Sequence, residues 1–195
     1  NAYDYYLHDI VPNLAAVTEY PLMQADDLFD ARENLDGFVQ TSNTLKTCAV
    51  NLSKMCNDLR LLSSGPRTGF GEINLTPMQN GSSIMPGKIN PVIPEVVTQV
   101  AFHVIGNDTT ITMAAEAGQM ELNAFEPVVF YSLFSSITSM TGAVNTLVKN
   151  CILGITANEK RCEDLVSKSV GITTALCPYI GYQKAASIAK KSLKT

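Results

Sequence analysis

Between Asp26 and Leu62, steps of three and four residues meet Leu28, Ala31, Leu35, Phe38, Ser42, Leu45, Ala49, Leu52, Cys56 and Leu59, and only Ser42 among them is polar. Apolar residues at that spacing share one face of an α-helix. Asp26 and Asp27 supply capping carboxylates where the helix dipole favours negative charge, and Ser63, Ser64, Gly65 and Pro66 stop the pattern. One helix over this stretch spans roughly 50 Å at about 1.5 Å per residue. A globule of 195 residues has a radius of gyration of about 16 Å, hence a diameter of roughly 40 Å. The stretch outgrows a sphere and predicts an elongated bundle whose stripe takes partner helices from other chains.

Two more stripes follow. Val97, Val100, Val104, Asn107 and Ile111 predict a helix over 94–115, and Phe130, Leu133, Ile137, Met140, Val144, Leu147 and Cys151 predict one over 127–152. Asn107 either fixes register as a buried amide or marks a bend beside Gly106. After Gly154 the pattern shortens to a helix from Asn158 to about Lys168, an apolar link from Cys177 to Ile180, and a helix near 183–193. The fold class expected is all-α. Residues 1–153 are expected to form a long-helix domain, and 154–195 to begin a small helical one.

Charge and cysteine content narrow the function classes. With 14 Lys and Arg against 18 Asp and Glu, the net charge is −4, which gives no basic surface for nucleic acid. Cys48, Cys56, Cys151, Cys162 and Cys177 contain no CxxC pair and leave one over, a pattern of reduced, buried thiols in a cytoplasmic protein rather than a disulfide or zinc framework. No run of about 18 apolar residues predicts a membrane span. The chain opens on Asn1 with neither an initiator Met nor a signal-peptide pattern and ends on Lys190, Lys191 and Lys194 without a stop, so it is expected to be a piece of something longer.

Residues 63–91 lack periodicity and are rich in Gly, Pro, Ser and Asn. Ordinary connections run about 4–6 residues, so a functional loop is expected. It closes on Gly81, Ser82, Ser83, Ile84, Met85, Pro86, Gly87, Lys88, Ile89, Asn90 and Pro91. The glycines let the backbone turn and present N–H groups, the serines add hydroxyls, and Lys88 and Asn90 add a cation and an amide. Just ahead of a helix N-terminus, this set suits a carboxylate or an oxyanion; the competing reading is a plain Gly/Ser turn with a solvated Lys. The GxxxxGK[ST] order of a phosphate-binding loop is absent. For Ser82 to act as a base, its oxyanion needs surrounding N–H donors and a cation.

The stretch GSSIMPGKINP, residues 81–91, resembles the signature of the fumarase and aspartase superfamily. CNDLRLLSSGPRTGFGEINL (56–75), NPVIPEVVTQVAFHVIGNDTTITMAAEAGQMELNAFEPVV (90–129) and GITANEKRCE (154–163) are most similar to its aspartase branch. The resemblance implies a nearly all-helical fold in which four subunits build one bundle. It also implies reversible deamination of L-aspartate to fumarate and ammonia without an organic cofactor. Position by position, it implies that Ser82, as an oxyanion, takes the proton from the carbon beside a carboxylate, giving an aci-carboxylate that expels the leaving group. It further implies that Ser83 holds that carboxylate, that Lys88, Ile89 and Asn90 hold the other, and that Glu95 matches a carboxylate that in fumarases pairs with a histidine of another subunit.

The sequence also departs from the family. Its Thr- and Ser-bearing loops and its Thr-His or Thr-Gln element lie in a first half that these residues lack, as they lack the end of the small C-terminal domain. The piece alone is therefore expected to be inactive. A fumarase-type hydro-lyase acting on malate and a purely helical assembly module are the competing readings. His8 and His103 read as packing or surface residues, and Glu116, Glu121 and Glu126, five apart around Gly118, as structural or solvated carboxylates. Arg60 and Arg67 flank the loop and either tie it to the bundle or remain solvated. No metal-ligand spacing occurs.

Overall fold

A computed structural model describes residues 2–65, 67–81 and 84–193. Its helices are α1 (Asp4–Thr18), α2 (Asp30–Glu33), α3 (Asp36–Leu62), α4 (Val92–Glu116), α5 (Glu126–Asn150), α6 (Glu159–Ser167), α7 (Cys177–Ile180) and α8 (Tyr182–Ser192). Two short strands, β1 (Ile73–Asn74) and β2 (Thr156–Ala157), pair antiparallel, with Ile73 opposite Ala157 and Asn74 opposite Thr156. The all-α class holds, and the structure is a helical bundle. The chain divides into two compact units, one of residues 1–45 with 106–136 and one of 46–105 with 137–195.

The first stripe is interrupted. Asp27 Oδ1 accepts from the backbone N–H groups of Phe29 at 2.9 Å and Asp30 at 3.1 Å, so the expected cap starts only the single turn α2. Asn34 then turns extended, with φ −87° and ψ 122°, and its Oδ1 accepts from Asp36 N at 3.0 Å where α3 begins. The 27 residues of α3 span about 40 Å, no more than the globule's expected diameter, so helix length alone does not demand other chains. From Leu35 to Leu59 every stripe position is buried or half-buried, whereas Leu28 is exposed.

In the first unit, Leu35, Ile111, Ala114, Val129 and Leu133 form the core, with Phe38, Val39, Leu45 and Ala115 packed on it. Phe38 meets Phe130 edge-on at 5.0 Å. The one polar stripe residue, Ser42, donates from Oγ to Asp108 Oδ1 at 2.8 Å inside the core. Asn107 donates to Ser132 O at 3.2 Å and Ser136 Oγ at 3.0 Å while α4 runs on unbroken, which favours the register reading over the bend. Asn123, 2% exposed, joins α4 to α5. Its Nδ2 donates to the carbonyls of Ala114 at 2.9 Å and Ala115 at 3.2 Å, and its Oδ1 accepts from Phe125 N at 2.8 Å.

In the second unit, Cys56, Val97, Ala143, Leu147 and Cys151 form the core, with Leu52, Leu59, Leu75, Ile93 and Val100 against it. Cys162 and Cys177 are only half-buried and Cys48 is exposed, so the buried-thiol expectation holds for two of the five. Asn158 stands where an N-cap would, but its side chain makes no cap; its amide is used across the β1–β2 pair instead.

The segment 126–154 is long and apolar enough to cross a membrane, its most apolar 18-residue stretch having a mean hydropathy of 1.2. Its Val129 and Leu133 fill one core, its Ala143, Leu147 and Cys151 the other, and Ser132 and Ser136 take part in buried hydrogen bonds. Those are the burdens of a core helix.

Candidate active site

The described residues that open the long irregular stretch are tied back to the end of α3. Backbone N–H groups of Gly71 and Glu72 donate to the carbonyls of Ser64 at 2.7 Å and Leu62 at 2.9 Å, closing the free end of α3. Leu75 then enters the core cluster that also contains Ile93 of α4. The segment between them, residues 76–92, therefore leaves and returns at one cluster.

Near its middle the loop is pinched. A Cβ on Gly81 would overlap the carbonyl of Lys88, so the close approach of these two backbones admits only glycine. Gly87 has φ +79°, and Lys88 N donates to Met85 O at 3.2 Å to complete the turn. Ser82 and Ser83, the expected base and its neighbour, lie outside the described residues. Lys88 and Ile89 are exposed and Asn90 is half-buried. Val92 N donates to Asn90 O at 2.9 Å and Glu95 N to Pro91 O at 3.1 Å, which sets Lys88 and Asn90 immediately before the first turn of α4. There the positive end of the helix dipole attracts an anion, although Val92 N and Glu95 N are already paired and Pro94 has no N–H.

Glu95 lies on that first turn. Its Oε1 is 3.7 Å from Arg60 Nη2, and Arg60 Nη1 donates to Asn57 Oδ1 at 3.3 Å. Arg60 thus links α3 to α4 and, among the described residues, makes no bond to the loop itself; Arg67 is exposed. Both partners of the ion pair are partly open to solvent, so it contributes little to stability, but it fixes the carboxylate beside the loop's return.

The perturbed thiols belong to the core. Burial pushes Cys56 up to about 11, with Cys151 adding to the rise and Arg60 opposing it, and burial also raises Cys151. Thiols held protonated are poor nucleophiles. His8 bonds Asp9 Oδ1 at 2.8 Å on the surface, His103 is exposed, and so are Glu116 and Glu121. Among the described residues no three His, Cys, Asp or Glu side chains are grouped to hold a metal.

Sequence reasoning missed Asn158, Arg161 and Gly154. Asn158 N and Nδ2 donate to the carbonyls of Glu72 and Gly71, each at 2.8 Å, and its Nδ2 also donates to Asn74 Oδ1 at 3.0 Å. Arg161 donates to Phe70 O at 2.8 Å and Gly69 O at 3.0 Å. A Cβ on Gly154 would overlap Thr76 Oγ1. These partners lie more than seventy positions apart, so no local pattern announces them.

A profile of the family described as Lyase matches residues 1–106. The aspartate ammonia-lyase of Helicobacter pylori is 55% identical over 195 residues, which is 100% of this chain and 42% of that protein. The solved fumarate lyase:delta crystallin of Brucella melitensis superposes with a TM-score of 0.90 at 48% identity, covering 97% of this chain and 44% of the other. The class II fumarase of Schistosoma mansoni superposes at 0.89 with 30% identity, covering 99% and 43%. This chain thus spans less than half the length of the relatives it matches, and it belongs to the lyase family of the fumarase and aspartase superfamily.

Proposed function

We propose that this chain is the signature-bearing part of an ammonia-lyase that reversibly deaminates L-aspartate to fumarate and ammonia. The observation that carries the reading is the pinched loop 81–91 set at the N-terminus of α4, in a chain 55% identical to an aspartate ammonia-lyase. Lys88 and Asn90, at the positive end of the α4 dipole, suit one carboxylate of a dianionic substrate. Ser82 Oγ, as the oxyanion, removes the proton from the carbon beside the other carboxylate. The C–H electron pair moves into that carboxylate as an aci-carboxylate, whose growing charge Ser83 stabilises. It then returns to form the C=C bond while the C–N pair departs with ammonia. Such a step depends on donors placed where charge develops. Glu95, held by Arg60, takes a supporting catalytic part. Residues 1–153 belong to the long-helix domain and 154–195 begin the small one; the assembled enzyme is a cytoplasmic homotetramer working without cofactor.

The full-length protein bearing this chain is expected to produce fumarate from L-aspartate, read by ultraviolet absorbance. Ser82→Ala is expected to lower kcat by roughly 100-fold or more, and unchanged turnover would remove Ser82 from its role. A fumarase-type hydro-lyase is the second reading, favoured by the 30% identity to the Schistosoma fumarase; turnover of malate but not aspartate would select it.

A further inference from the structure

We infer that residues 154–161 are a positioning strap for the signature loop, with Arg161 and Asn158 as its grips; this rests on the reading of 81–91 as the active loop. Residues 69–74 form the arm leading into that loop, and their backbone groups are shared between two partners. Gly71 and Glu72 direct their N–H groups to the carbonyls at the end of α3. On the other side the carbonyls of Gly69, Phe70, Gly71 and Glu72 all accept from Arg161 or Asn158. An arm held by backbone bonds on both sides has few alternative paths to follow.

The grip continues to the loop itself. Ile73 and Asn74 pair with Ala157 and Thr156, and the amides of Asn74 and Asn158 bond each other at 2.7 and 3.0 Å. The missing Cβ of Gly154 makes room for Thr76, the residue after Leu75 has entered the core. The loop therefore starts from a point fixed by Gly154, Asn158 and Arg161, whereas its return at Lys88–Asn90 is fixed by α4. Displacing the strap shifts the start of the loop at Leu75 and Thr76 and, through it, the path by which the loop reaches its pinch at Gly81.

A misplacement of about 1 Å costs up to roughly 100-fold in rate, so in the full-length enzyme Arg161→Gln and Gly154→Ala are each expected to lower kcat about tenfold or more. KM should stay within about twofold, because uniform binding is retained. Arg161→Lys, which keeps a donor, should recover part of the loss. Hydrogen exchange followed by mass spectrometry should show faster exchange confined to residues 69–76 in both variants. Unchanged exchange there, or a uniform acceleration that includes α3, α4 and α5, would overturn the strap. If the parent enzyme does not act on aspartate, the functional reading fails by itself, and the exchange pattern still decides the strap. Gly154→Ala adds one methyl group and keeps the test open should Arg161→Gln not fold.

Discussion

Cys56 is fully buried, and its thiol is raised from 9.0 to about 11. Between those values the unfolded chain has lost the proton while the folded one keeps it, so the native state binds more protons and stability falls as pH rises. The contribution is complete below about pH 9, declines toward pH 11 and levels beyond; two units correspond to about 2–3 kcal/mol. Urea midpoints taken from pH 8 to 10.5 should fall, and Cys56→Ala should flatten the slope. The exposed Cys48 should react with a thiol reagent well before Cys56 or Cys151. Asn123 makes a second residue-scale case. Its Ala variant leaves the carbonyls of Ala114 and Ala115 and the N–H of Phe125 without that partner, a cost of about 2–4 kcal/mol readable in the denaturation midpoint. Ser42 stood out in the sequence as a polar break in an apolar stripe, whereas Asn123 did not. Its meaning comes from carbonyls eight and nine residues back, which periodicity cannot see.

At the scale of elements, the three long helices were legible because their stripes repeat over many turns. Errors arose where a short side chain redirects the backbone. Asn34 bonds Asp36 N and ends α2, a competition between side chain and helix that a stripe does not register. In α5 the stripe residues Leu133, Met140 and Leu147 are buried, yet Ile137 and Val144 are 39% and 36% exposed while their neighbours Ser136 and Ala143 are buried, because the core face there takes the small residue one position back at each of those turns. The loop was visible as a long irregular segment, but its internal closure was not, since Gly81 needs its special size only against Lys88, seven residues on. Gly81→Ala must move the Lys88 carbonyl or open the pinch. In the full-length enzyme it is expected to lower kcat/KM by roughly 100-fold while far-UV circular dichroism stays unchanged; intact activity would show that the pinch does not shape the site.

For the molecule as a whole, the sequence argument for partner chains began from a helix too long for its globule, and the break at Asn34 takes that argument away. What stands in its place is exposed apolar surface: Phe102 at 63%, Met113 at 66%, Tyr131 at 75% and Phe134 at 61%, on helices whose other faces already fill both cores. Side chains of this size left in water favour association, at about 25 cal/mol per Å² covered. The proposed homo-oligomer accounts for them without a membrane, since α5 also carries the buried hydrogen bonds of Ser132 and Ser136. The 195-residue piece is accordingly expected to be dimeric or larger by light scattering and devoid of lyase activity. Tyr131→Glu should shift it toward monomer without loss of helicity, because a charge set on a face that another copy covers must be desolvated when the two meet. A well-folded monomer of the parent piece, or an assembly indifferent to a Glu at position 131, would mean that the exposed faces of α4 and α5 do not join copies of this chain.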